Sequence, residues 1–141
     1  KRIVDFYVTR GTFANNWDLV DLSAPYILGT RMLNNPNPAL LDQLSFSDNL
    51  WLQRIAIVST ITLVRKSRFE DTLRLSERYL THSHPLIHKA TGWLLREIGK
   101  KDEQILLNFL EKFSTKMPRT ALRYAIERLN PDLRQYFMQR K

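Results

Sequence analysis

Four of the six prolines punctuate this chain in the same way: Asn37-Pro38, His84-Pro85, Met117-Pro118 and Asn130-Pro131. Each stands where a first helical turn accepts proline, because the missing N–H has no intrahelical partner there anyway. Asn15 or Asn16 can cap a helix starting near Trp17, and Ser47 one starting near Asp48. Gly99, followed by Lys100 and Lys101, reads as a helix stop. With only four glycines and no sustained two-residue alternation, sheet is not expected. The punctuation predicts an all-α chain of about eight helices, roughly 16–32, 38–44, 48–66, 69–81, 85–99, 102–115, 118–129 and 131–139. Pro25 should kink or split the first of them.

The helices pair as hairpins with short connections. Trp51-Leu-Gln-Arg54 resembles Trp93-Leu-Leu-Arg96 at an offset of 42 residues, the spacing of HEAT or armadillo units. A right-handed superhelical stack of such pairs with a concave basic face is expected; an ordinary helical bundle is the competing architecture. With 141 residues and no credible internal boundary, residues 1–141 form one domain. Lys1-Arg2-Ile3 opens without an initiator Met or a signal pattern, as in a fragment.

A net charge of +8 with 43% hydrophobic residues describes a basic globular domain, not a disordered basic tail. The absence of cysteine excludes disulfide frameworks, thiolate metal sites and cysteine nucleophiles. The longest uncharged apolar stretch, Ile55 to Val64, is too short and too polar to span a bilayer. No membrane partner is expected, and the excess of cations points to nucleic acid.

Three segments carry candidate chemistry. On helix 85–99, Ile87, Thr91, Leu94 and Ile98 form one stripe and should face the core. Lys89, Trp93, Arg96 and Lys100 follow the same spacing on another face, so a large aromatic lies within a column of cations. A nucleotide would cover both; the alternative is that Trp93 packs on a neighbouring helix and the cations are simply solvated. Gly92 permits a close backbone approach. Between Leu50 and Val64 the one charge is Arg54, which cannot shed its proton and must meet a carboxylate, a phosphate or solvent at a groove. Snorkelling past the first turn is the plainer account. Trp17 and Asp21, four apart, share a helix face; Asp18 suits the helix N-terminus better than Asp21 does. His82, His84 and His88 fit capping and surface roles better than metal ligation.

Asn-Asn-Trp-Asp-Leu-Val-Asp at 15–21, Leu-Trp-Leu-Gln-Arg-Ile-Ala-Ile-Val at 50–58, Ile-His-Lys-Ala-Thr-Gly-Trp-Leu-Leu-Arg-Glu-Ile-Gly-Lys at 87–100 and Met-Pro-Arg-Thr-Ala-Leu-Arg-Tyr-Ala-Ile-Glu at 117–127 resemble the AlkD-type DNA alkylation repair glycosylases. Relative to that family the N-terminal helices, roughly the first third, are expected to be missing. The resemblance implies an α-solenoid of HEAT-like repeats that hydrolytically releases cationic N3- or N7-alkylated purines from duplex DNA. Carried over by position, it implies a site of Trp17, Trp93, Asp21 and Arg54. Many members are expected to carry a second charge where this chain has Leu52 or Gln53.

An ionised Asp21 near C1′ would stabilise the positive charge that develops on the sugar and could help orient water. Arg54 would hold that carboxylate ionised or take a phosphate. The two tryptophans would face the sugar and the cationic base. Arg65, Lys66 and Arg68 form one cationic cluster; Lys89, Arg96, Lys100 and Lys101 form a second, and Arg119 and Arg123 a third, each suited to backbone phosphates. No cofactor or metal is expected. The expected state is a monomer when full length, in a bacterial-type cytoplasm with the chromosome. The competing function is a non-catalytic HEAT-repeat module that grips nucleic acid or an acidic protein.

Overall fold

A computed structural model describes residues 27–140 of the chain. Residues 27–34 are helical. Eight α-helices follow among the described residues: α1 Pro38–Ser45, α2 Leu50–Ser59, α3 Ile61–Arg65, α4 Glu70–Arg78, α5 Pro85–Lys101, α6 Glu103–Phe113, α7 Arg119–Ala125 and α8 Pro131–Gln139. Short 3-10 turns at Tyr79–Thr81 and Ser114–Lys116 extend α4 and α6. No strand occurs among the described residues, and the chain is all-α. No helix among them is long and apolar enough to cross a membrane.

Proline sets the starts of α1, α5 and α8 as expected, and the residue before it supplies the cap. The Asn37 side chain accepts from the Leu40 N–H, Asn130 from Leu133 and His84 from Leu86. Three expectations need correction. The cap of α2 is Asn49, whose side chain accepts from Leu52 N; the Ser47 hydroxyl accepts instead from Asn49 N. The helix expected over 48–66 breaks at Thr60, where the hydroxyls of Ser59 and Thr60 donate to the carbonyls of Ala56 and Ile57. Such back-bonding competes with the helical ladder and bends it. Finally, α5 does not stop at Gly99 but runs to Lys101. Gly99 serves a close contact, since a Cβ there would meet Leu106 Cδ2 at 2.5 Å.

Helix α5 lies at the centre and packs against α2, α3, α4, α6 and α7. Its stripe of Ile87, Thr91, Leu94 and Ile98 is buried, as its spacing predicts. Each fully buried Leu or Ile contributes about 1.5–3 kcal/mol relative to an exposed one. Gly92 faces α7, where a Cβ would meet the Ala121 carbonyl oxygen and Tyr124 Cβ, each at 2.5 Å. The close approach foreseen at Gly92 is therefore the crossing of α5 with α7.

Elsewhere helices are fastened by charge. Asp42 of α1 accepts from Arg74 Nε and Arg78 Nη1 of α4, both at 2.9 Å, and Arg74 also reaches Asp71 at 2.7 Å. Burial works to raise the Asp42 carboxyl, but the hydrogen bonds and charges of Arg78 and Arg74 outweigh it and hold it below its ordinary range. The Arg78 guanidinium also covers Phe46, 4.1 Å from the ring centroid. Helix α3 ends in a Schellman motif: Ser67 N–H bonds Val64 O, Arg68 N–H bonds Leu63 O, and Ser67 takes φ 59°. That turn carries Arg65, Lys66 and Arg68 on its rim, all exposed.

Candidate active site

Arg54 is the charge on an otherwise uncharged α2, and the packing of α2 against α5 places it. It is half-buried, and its Nη1 donates to the Leu86 carbonyl oxygen at 2.7 Å. Leu86 belongs to the first turn of α5 and Trp93 follows seven residues later on the same helix face, about 10.5 Å along the axis. The structure thus docks Arg54 on the first turn of the helix that carries Trp93. Trp93 is half-buried and packs against the core, so it is neither free in solvent nor enclosed. Trp17 and Asp21 lie outside the described residues, as does the expected kink at Pro25.

The cations expected to hold phosphates divide into two groups. Lys89, Arg65, Lys66 and Arg123 are exposed and have no acidic partner among the described residues. Arg96, Lys100 and Arg119 are already engaged. Arg96 Nη1 meets Glu127 at 2.6 Å and Lys100 Nζ meets Glu97 at 3.2 Å. Arg119 Nη1 donates to the Met138 carbonyl oxygen at 3.1 Å and so ties α8 to α7. Salt bridges with a partner as exposed as Glu127 are worth about 0–1 kcal/mol.

Gln53, which its sequence context marked only as a neutral residue where a charge was expected, proves to be a hub. Its Nε2 donates to the Ser47 carbonyl at 2.6 Å, its Oε1 meets His82 Nε2 at 2.7 Å, and its carbonyl accepts from the Tyr79 hydroxyl at 2.7 Å. Burial pushes the Tyr79 phenol far above its ordinary value, with Arg78 opposing, so it stays a donor. His82 Nδ1 accepts from His84 N at 3.0 Å, and His84 Nδ1 accepts from Leu86 N at 3.1 Å. His88 Nε2 reaches the His82 carbonyl. Four of the imidazole nitrogens are thus spent on hydrogen bonds, which agrees with the capping role read from the sequence. No group of three or more potential metal ligands occurs among the described residues. The His84-Pro85 pair signalled the cap; nothing in the sequence signalled the link to Gln53.

All-α packing, a cationic surface and an arginine delivered to a tryptophan-bearing helix are now in place, and the comparison with protein families adds the class. The family described as DNA alkylation repair enzyme matches residues 1–129, and the chain belongs to that family. Membership makes it a DNA repair protein by class, with DNA as the partner. No curated protein matches the sequence.

Proposed function

We propose that the protein is a glycosylase that hydrolyses the N-glycosidic bond of cationic N3- or N7-alkylated purines in duplex DNA. One observation carries the reading beyond family membership: Arg54 is docked on the first turn of the helix that bears Trp93. Two of the four carried-over residues thus come from helices packed on each other. The helix pairs would continue as a HEAT-like stack, with the duplex along a basic concave face.

In this mechanism the alkylated base is already cationic, so it departs without receiving a proton. Positive charge develops on the deoxyribose as the bond lengthens, and an ionised Asp21 near C1′ stabilises it and orients water. Arg54 takes a flanking phosphate or keeps the carboxylate ionised. The faces of Trp17 and Trp93 favour a charged lesion over a neutral base by about 0.5–2 kcal/mol. Lys89, Arg65, Lys66 and Arg123 supply phosphate contacts directly, while Arg96 and Lys100 exchange Glu127 and Glu97 for phosphate.

The test is release of free N7-methylguanine from methylated duplex DNA by the protein and by Asp21→Asn. The expected loss on substitution is about 10²–10³-fold in kcat, the worth of one preorganised electrostatic group. Equal release by both proteins removes Asp21 from the mechanism. No release by either, with DNA binding retained, leaves the non-catalytic repeat module.

A further inference from the structure

The hydrogen bonds around Gln53 and Arg54 close on themselves. Gln53 and Arg54 are neighbours on α2, and the path from one leads back to the other. It runs from Gln53 Oε1 to His82 Nε2, from His82 Nδ1 to the His84 N–H, from His84 Nδ1 to the Leu86 N–H, and from the Leu86 carbonyl to Arg54. Each direction is fixed. Gln53 Nε2 is committed to the Ser47 carbonyl, so Oε1 is the acceptor that faces His82. His82 Nδ1 accepts a backbone N–H, so its proton must sit on Nε2. His84 Nδ1 likewise accepts, which requires an unprotonated nitrogen there.

We propose that Gln53, His82 and His84 are positioning residues for Arg54: a closed circuit through two imidazoles whose Nδ1 atoms stay unprotonated sets the Leu86 carbonyl on which Arg54 docks. The proposal rests on Arg54 serving the glycosylase reaction, and it assigns to that reaction three residues that touch no substrate. Protonating either Nδ1 turns an acceptor into a donor opposite another donor, which opens the circuit. The groups facing His82 are Gln53 from α2, Tyr79 from the 3-10 turn and the His84 backbone N–H on its ring, with the His88 imidazole on its carbonyl and the His84 imidazole near enough to act by charge. No carboxylate faces it among the described residues. Burial, followed by the His88 and His84 charges, lowers the proton affinity of His82 from its ordinary 6.5. The unfolded chain therefore binds the proton first. The contribution of His82 to the circuit is fully present above pH 6.5 and is lost as pH falls through its lowered folded value.

The experiment has two arms on the full chain. Imidazole 15N correlation spectra from pH 5 to 8 should find His82 as the Nε2–H tautomer at pH 7, titrating below 6.5. An Nδ1–H tautomer, or titration at or above 6.5, overturns the circuit. The second arm compares His84→Asn, which keeps a capping acceptor without a titrating ring, with His84→Ala. For release of N7-methylguanine at pH 7, Asn should stay within about twofold of the original in kcat and Ala should lose about three- to tenfold, with KM little changed in both. Equal losses in the two variants overturn the positioning role. Should the original protein release no base, the glycosylase reading falls while the spectra still decide the circuit.

Discussion

The Trp51–Arg54 and Trp93–Arg96 segments use one local spacing for two different fastenings. In both, the tryptophan is half-buried against the core and the arginine reaches forward to a later element, by 32 residues for Arg54 and 31 for Arg96. Arg54 meets a main-chain carbonyl in a part-buried seam, whereas Arg96 meets Glu127, whose side chain is 56% exposed. The helix ahead makes the difference. Helix α7 crosses α5 so closely that position 92 holds glycine, while Leu50 occupies the equivalent place before Trp51. The second seam is closed by shape and merely decorated by charge; the first adds a charged hydrogen bond inside its apolar packing. A repeated motif therefore fixes where an arginine points, and the packing ahead of it decides what the arginine is worth.

Three substitutions would break or sharpen that contrast, each read by urea unfolding. Gly92→Ala should be the most damaging. Its Cβ meets backbone, and a net loss of about 2 kcal/mol is expected after roughly 1 kcal/mol gained in helix propensity. A neutral or stabilised Gly92→Ala protein would mean that the second seam is not closed by shape. Arg54→Met, which keeps the stem and deletes the guanidinium, should cost about 1.5 kcal/mol, the value of a hydrogen bond to a charged group. Glu127→Gln should cost less than about 0.5 kcal/mol. If Glu127→Gln proves as costly as Arg54→Met, the two fastenings are equivalent and the contrast fails.

Helix starts were legible because proline and its preceding cap act locally: α1, α5 and α8 begin at Pro38, Pro85 and Pro131. Helix interiors were less so. The break at Thr60 comes from hydroxyls that bond back to carbonyls, and nothing in the apolar run from Ile55 to Val64 announces which residue will do so. Gly99 was misread because glycine serves equally for a helix end and for close packing, and only the position of Leu106 tells the two apart. At the candidate site, Arg54 was conspicuous as a lone charge and Trp93 as an aromatic among cations. Gln53 was not, because its role depends on a histidine 29 residues away. The engagement of Arg96 and Arg119 was equally hidden, since Glu127 and Met138 reach them only through the fold; Lys100, by contrast, pairs locally with Glu97 on its own helix.

Helix α8 is joined to the rest more thinly than any element it touches. It buries one side chain completely, Phe137, packs Leu133 and Met138 part-buried against the core, and is held further by Arg119 on the Met138 carbonyl and by Tyr136 and the following Arg140 on Glu111. It begins at Pro131, just past residue 129 where the family match ends. Phe137 nevertheless belongs to the buried core, so this last helix completes a surface that the earlier helices leave open. One buried ring, two part-buried side chains and a few side-chain bonds to Glu111 and the Met138 carbonyl are therefore what keep α8 against α6 and α7.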